Sequence, residues 1–334
     1  MNTVPGQASR RAAARYMVAS MARRITVSTV GPTPLTGYRG IGRQEAVDAM
    51  QAHWVRELAQ VLPDRPDLIV LPEVCDRFPE HTPAERLAYY RFRGNTMRDF
   101  FARIAAENRC YIAYSSVREL EDGSWRNSTQ LIDRRGAVVG IYDKNHVVIE
   151  ETTQDGILCG RDSPRIETDF GALSCVICFD LNFEEIRRKT LANRPDLIVF
   201  GSMYHGGLMQ GYWAYFCRAH FVGAIAGAPP SSVLNPLGEI VAQSTNYFDF
   251  VTARINLDCC LAHLDYNWER LAAARRKYGP GVTVRDPGNL GVVLLSSEIE
   301  GTSAREIARE FEIELWEDYQ ERALAHRREN TAGS

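Results

Sequence analysis

The chain has 334 residues, 45% hydrophobic and 24% charged, a balance that excludes disordered and fibrous classes and allows one large core or two smaller ones. Thirty-nine Lys+Arg against 42 Asp+Glu leave a formal charge of −3, so no global basic field is present to hold nucleic acid or an anionic membrane. No run approaches the roughly 18 apolar residues of a membrane span, and no apolar signal core opens the chain, so the expected location is the cytoplasm.

The first acidic residue is Glu45, which makes residues 1–23 a basic, Ala-rich stretch. It reads as a flexible arm, with a targeting segment or an upstream start ahead of Met21 as alternatives. Ile25–Val30 reads as the first strand. Residues 44–62 carry helical periodicity through Ala46, Met50, Trp54, Leu58 and Val61, and Asp67–Leu71 is a buried strand bounded by prolines. A long helix is expected over 83–108, then a strand at Cys110–Tyr114. Asn127–Asp133 and Ala137–Tyr142 form a hairpin about Arg134–Gly136. Ala172–Cys178 is another apolar strand, followed by an amphipathic helix over 183–193.

The run Arg65-Pro-Asp-Leu-Ile-Val70 then recurs identically as Arg194-Pro-Asp-Leu-Ile-Val199, each copy following a helix and leading into an apolar strand. Its spacing of 129 residues is too long for a solenoid and suits two similar α/β halves. Helix 210–221, strand Val222–Ala226, a hairpin around Asn235–Gly238, strand Phe250–Asn256 and helix 266–278 complete the second half. Hairpins mixed with strand–helix units indicate an α/β sandwich. Beyond 285 there remain a strand (290–296) and a charged helix (303–327). They carry too few apolar positions to fold alone, so residues 285–334 are expected to pack on the preceding domain, 24–284, or on a partner subunit.

The serine-hydrolase elbow, the phosphate loop, the zincin helix and the dinucleotide glycine motif are all absent. Eight cysteines default to inert core. Cys175-Val-Ile-Cys178 lies in a strand whose period of two sends its thiols to opposite faces, unlike a redox motif at a helix start. No second pair completes a zinc site, and no metal or cofactor is expected. Three strands instead end in chemistry: Leu68–Leu71 at Pro72-Glu73, Val138–Tyr142 at Asp143-Lys144, and the Ala172 strand at Cys178. The carboxyl ends of strands are where α/β folds place their sites.

With these contexts the sequence resembles the nitrilase superfamily of carbon–nitrogen hydrolases. The matching stretches are Leu71-Pro-Glu73; Asn127, Gly136 and Gly140-Ile-Tyr-Asp-Lys-Asn-His146; and Phe170–Asp180 followed by Asn182-Phe-Glu-Glu185. Weaker support comes from Asn235–Val241 and Ala253–Leu257. The likeness runs from about 24 to 280 and implies a four-layer α-β-β-α sandwich of two pseudo-symmetric halves. It also implies a Glu73, Lys144 and Cys178 triad. The thiol is a poor nucleophile until a carboxylate accepts its proton and an ammonium favours the thiolate. Lys144 and the backbone N–H of Phe179 would stabilise the oxyanion, and Glu73 would protonate the leaving amine and later activate water. A second glutamate is expected at Glu151, with Glu150 as the alternative.

Cys178-Phe-Asp180 is closer to the amidase and carbamoylase branches than to true nitrilases. The usual proline in the following helix start is missing, and Leu181-Asn182 stand where N-carbamoyl amino-acid hydrolases carry arginines. Tyr204-His205-Gly-Gly207, His146 and Asn182 are the expected substrate-facing positions. The resemblance implies a small amide or N-carbamoyl substrate and a homodimer or higher homo-oligomer. Two alternatives remain open. Nitrile hydrolysis by the same triad is separable by product analysis. A catalytically silent binding protein would lack a selectively alkylated Cys178.

Overall fold

The two identical runs become central strands of two different sheets, and their lack of a polar face follows from that placement. The computed structural model describes residues 23–37, 40–227 and 229–331. The expected N-terminal arm lies, apart from Arg23, outside them. The chain divides into two compact units, Arg24–Leu257 and the segment from Asp258 onward.

The first unit runs through β1 (Arg24–Val30), α1 (Arg43–Leu58), β2 (Leu68–Val70), α2 (Pro83–Arg93), α3 (Thr96–Asn108), β3 (Tyr111–Glu119), β4 (Trp125–Ile132) and β5 (Val138–Asp143). After α4 (Ile149–Thr153) and β6 (Ile166–Glu167) come β7 (Ala172–Ile177), α5 (Glu184–Asn193), β8 (Leu197–Ser202), α6 (Leu208–Cys217) and β9 (His220–Ile225). The hairpin β10 (Ser232–Leu234) and β11 (Ile240–Gln243) and strand β12 (Phe250–Asn256) complete it. One sheet has the order β12-β1-β2-β3-β4-β5 and the other β11-β10-β9-β8-β7-β6. The inner strands β1, β2 and β3, like β7, β8 and β9, are parallel, and the flanking pairs are antiparallel.

Alternation along β8 shows why a fully apolar strand is wanted. Leu197 and Val199 enter the core between the two sheets, beside Leu68 and Val70 of β2. Ile198 and Phe200 face outward, under Ile186 of α5 and Trp213 of α6. Ile69 of β2 likewise joins Met50 and Trp54 of α1 and Phe101 of α3 on the far side. Both strand faces are covered, as parallel strands require. The layers are therefore helix, sheet, sheet, helix, the expected sandwich of two similar halves.

The long helix expected over 83–108 is two. Thr82 and Glu85 form a reciprocal capping box that starts α2, and Gly94, at φ +47°, turns the chain before α3 begins.

In the second unit β13 (Cys259–His263) and β14 (Val282–Arg285) pair antiparallel on either side of β15 (Val292–Ser297). Helices α7 (Trp268–Tyr278), α8 (Ala304–Glu310) and α9 (Trp316–Glu329) accompany this sheet. Leu271, Ala274, Leu295, Ile307 and Ile313 share a core of their own. The division thus falls at 257/258 instead of 284/285, because the strand read as part of a tail has partners on both sides from residues 259–285. Glu312, at φ +52°, separates α8 from α9 where one charged helix was expected. Among the described residues no helix is long and apolar enough to cross a membrane.

Candidate active site

Strand ends of the first unit supply the site, and the loop after β2 is held most firmly. Leu71 and Cys75 donate backbone hydrogen bonds to the carbonyls of Ala113 and Ser115, at 3.2 and 3.0 Å. The Trp54 indole donates to the Cys75 carbonyl at 3.0 Å. Asp76, fully buried, accepts from the Tyr114 hydroxyl at 2.8 Å and pairs with Arg93 at 2.8 Å. This clamp holds Val74 at φ +42°, a costly conformation for a β-branched residue. Glu73 stands immediately before it. The other sheet comes close here: a Cβ on Gly201 of β8 would lie 3.0 Å from the Leu71 carbonyl oxygen and 3.1 Å from the Glu73 nitrogen.

Lys144 follows β5, its backbone N–H bonded to the Asn127 carbonyl at 2.8 Å. Its ammonium, 1% exposed, donates to Glu73 Oε1 at 2.7 Å and to Glu151 Oε2 at 2.6 Å. Glu151 lies on α4, where it also accepts the Val148 N–H at 2.9 Å. Glu150, its neighbour, is exposed and turned away. Asn127 completes the set, its amide donating at 2.8 Å both to Glu73 and to Glu151. Burial pushes the Glu73 carboxyl up, but the Lys144 charge and hydrogen bond, helped by the Cys178 thiol and Arg77, outweigh it and hold Glu73 below its ordinary value. Burial disfavours the Lys144 ammonium, yet the two carboxylates hold its pKa well above the ordinary lysine value.

β7 stops at Ile177 and Cys178 takes φ +46°, opening a short 3-10 turn to Asn182. The period-two expectation for Cys175 and Cys178 ends there: Cys175 stays in the strand, while Cys178 has left it and lies half-buried at the cavity. Asp180 anchors the turn by accepting the Tyr142 hydroxyl and the His146 backbone N–H, both at 2.7 Å. The His146 ring stacks on Phe183 at 3.6 Å and sits between Asp180, at 3.2 Å, and Glu185, at 3.0 Å. Burial and the Glu73 charge push the Cys178 thiol up to about 12, against the opposing pull of Lys144 and a hydrogen bond with Ser202. Burial and the Glu73 charge thus favour the thiol over the thiolate, in keeping with the expectation that a carboxylate must accept its proton. Cys175 is also pushed up to about 12, but by burial alone.

Glu73, Lys144, Glu151 and Cys178 open onto a cavity of about 210 Å³. Its remaining wall includes Arg77, Tyr90, Val117, Ile157 and Met203. Phe179, His146, Asn182, Tyr204 and His205 do not line it. Asn182 instead donates to the Tyr204 hydroxyl at 3.1 Å and to the Phe179 carbonyl at 3.2 Å. His205 Nδ1 accepts the Gly207 N–H at 3.1 Å. Those side chains support the loops around the site. Asn127 and Tyr90 were missed as site residues, although Asn127 begins the hairpin that carries Lys144 and Tyr90 follows a legible capping box. Among the described residues no group of three or more His, Cys, Asp or Glu is placed to hold a metal ion. The set can accept a thiol proton on Glu73 and offers an ammonium to a developing negative charge.

Known proteins resemble this chain in sequence or in fold. The deaminated glutathione amidase of Homo sapiens is 24% identical over 257 residues, covering 67% of this chain and 74% of that protein. A carbon-nitrogen hydrolase from Helicobacter pylori G27 superposes with a TM-score of 0.60 at 17% identity, covering 77% of this chain and 94% of its own. An amidase from Nesterenkonia sp. AN1 gives 0.59 at 17% identity, covering 76% and 99%. The sequence model of one family, described as carbon-nitrogen hydrolase, matches residues 27–260, which takes in Glu73, Lys144, Glu151 and Cys178 alike. On that match across more than half its length, the chain belongs to the carbon–nitrogen hydrolases of the nitrilase superfamily.

Proposed function

We propose that this protein is an amidase that cleaves a small amide through a thioester on Cys178. The observation that carries the reading is the buried contact of Lys144 with both Glu73 and Glu151, at 2.7 and 2.6 Å, on a cavity that Cys178 also lines. When the substrate carbonyl sits against Cys178, the thiol proton passes to Glu73 and the sulfur forms a bond to the carbonyl carbon. The carbonyl oxygen takes the negative charge, which the Lys144 ammonium stabilises. Collapse breaks the C–N bond, with Glu73 giving its proton to the departing ammonia or amine. Glu73 then deprotonates a water that attacks the thioester, releasing the acid and restoring the thiol.

Glu151 and Asn127 hold Lys144 and Glu73 in this geometry. Support from relatives is chemical as well as structural. The Nesterenkonia sp. AN1 amidase structure compared above is that of a variant with acrylamide added at its active site cysteine. A half-buried nucleophile in a 210 Å³ cavity, smaller than drug-sized pockets, favours a short substrate.

The test is ammonia release from a panel of small amides, ureas and N-carbamoyl amines by the wild type and by Cys178→Ala. The reading expects turnover of at least one compound, lost in the variant while its circular dichroism is unchanged. Undiminished hydrolysis by Cys178→Ala contradicts it. Self-association is part of the same proposal, and an active monomer in sedimentation would remove that part.

A further inference from the structure

We infer that Arg77 and Tyr90 form an acceptor-binding corner of the cavity that holds a carboxylate on the acyl part of the substrate. The inference rests on the amidase reading for the reaction, and the corner itself stands on separate observations. Arg77 lies on the clamped loop beyond Glu73 and lines the same cavity as Cys178. Its backbone N–H closes a turn onto the Val74 carbonyl at 2.9 Å, which fixes where the side chain starts. Every other arginine around the site is engaged. Arg93 is consumed by Asp76 at 2.8 Å, and Arg86 by Asp155 at 2.8 Å. The Arg77 guanidinium has neither a carboxylate nor a hydrogen-bond acceptor among the described residues.

Tyr90 supplies the second observation. Tyr90 is 3% exposed and lines the cavity, and its hydroxyl, with no hydrogen-bond partner among the described residues, is not one of the fully buried unpartnered atoms. The Tyr90 hydroxyl is therefore open to the cavity, where water or a ligand supplies its hydrogen bond. Arg77 acts electrostatically on both Tyr90 and Glu73, so the guanidinium, the phenol and the reacting carboxylate share one neighbourhood.

The geometry sorts substrate groups by chemistry. Glu73 and Glu151 are satisfied by Lys144 and Asn127, and Asp155, the third carboxylate of the wall, by Arg86, so none of them needs a cationic substrate. Val117, Ile157 and Met203 give the space between an apolar wall suited to a short hydrocarbon chain. A guanidinium with an adjacent O–H donor matches the planar acceptor of a carboxylate, which Arg binds through paired N–H groups. The substrate class that follows is an amide whose acyl chain ends in a carboxylate. This places the acid-binding cation on the loop of the glutamate, not after the nucleophile, where Leu181-Asn182 leave no cation.

The test compares the monoamide of a short dicarboxylic acid with its methyl ester, which keeps the length and removes the charge. The wild type is expected to favour the acid in kcat/KM, and Arg77→Met is expected to reduce the acid-to-ester ratio by about 10- to 100-fold. Arg77→Lys should recover part of that ratio, and Tyr90→Phe should reduce it by about 3- to 10-fold. A ratio unchanged in Arg77→Met overturns the corner. Calorimetric binding of the same acid to Cys178→Ala protein gives an answer that needs no turnover. Kd should rise about 10- to 100-fold when Arg77→Met is added. Equal affinity with and without Arg77 overturns the inference. Failure of the wild type to hydrolyse any amide instead overturns the amidase reading, so the two failures are told apart.

Discussion

The two copies of Arg-Pro-Asp-Leu-Ile-Val enter their sheets identically and leave them with nothing in common. At the entrances, Asp67 Oδ2 accepts the Thr26 N–H at 2.9 Å and Asp196 Oδ2 accepts the Ala172 N–H at 2.9 Å. Each Asp also donates its own N–H to the same neighbour, at 2.7 and 2.8 Å, and accepts from the next strand through Tyr111 or His220, at 2.8 and 3.0 Å. The arginines that open the copies, Arg65 and Arg194, both sit in the left-handed region at φ +52° and +47°. Counting forward from Leu68 and Leu197, however, Glu73 matches Ser202. Counting along the paired neighbours β1 and β7, Pro32 matches Cys178. Repetition fixed the scaffold, and chemistry entered where the strands end.

Breaking the exits should cost catalysis, and breaking the entrances should cost only stability. Glu73→Gln removes the proton acceptor and is expected to lower kcat by about 10²- to 10⁴-fold, measured as ammonia release at saturating substrate. Lys144→Met should lower kcat by about 10²- to 10³-fold through the oxyanion. It should also destabilise the protein by about 3–5 kcal/mol, because two buried carboxylates lose their partner.

The pH dependence of that destabilisation has a definite sign. Glu73 is held below its ordinary 4.5, so its contribution is present above that value and is lost as pH falls through the folded value. Lys144 is held above its ordinary 10.5, so its contribution is present below that value and is lost as pH rises beyond it. Denaturant midpoints of the wild type and Lys144→Met should therefore differ by a constant amount between these limits and converge in acid. Convergence at neutral pH would contradict the buried ion pair.

Smaller effects sharpen the comparison. Gly201→Ala forces β8 a few tenths of an ångström from Leu71 and Glu73, and should lower kcat/KM by about 10-fold through misplacement of Glu73 relative to Cys178. Asp196→Asn weakens an entrance hydrogen bond and should cost about 1 kcal/mol in denaturant melts with kcat unchanged. A kinetic effect of Asp196→Asn equal to that of Gly201→Ala would erase the distinction between entrances and exits.

Much of this was legible in the sequence because a repeat, strand ends and binary patterning are local signals. The sandwich followed from apolar runs such as Leu68–Val70 and Leu197–Phe200, which have no face to give to solvent. Glu73, Lys144 and Cys178 were readable as the residues at which three such runs stop. Helix breaks were not, since residues 83–108 keep helical periodicity across Gly94 and residues 303–327 keep it across Glu312. β13 escaped because Cys259–Leu261 is an unalternating apolar run. The choice of Glu151 over Glu150 depended on the direction in which the α4 side chains point. The placement of Asn127 beside Glu73 and Glu151, and of Arg77 and Tyr90 on the cavity wall, depended on bringing together strands and loops distant in the chain. The upward push on the Cys178 thiol depended on burial, which no spacing in the sequence encodes.

The central claim is that the exit of β7 carries the nucleophile. Its most direct test is intact-protein and peptide mass spectrometry of wild-type protein quenched during turnover of a slow amide. The account predicts an added acyl mass on the peptide bearing Cys178, removable by hydroxylamine and absent from Cys178→Ala. An acyl mass on Cys175, or steady hydrolysis with no acylated cysteine at any quench time, would contradict it.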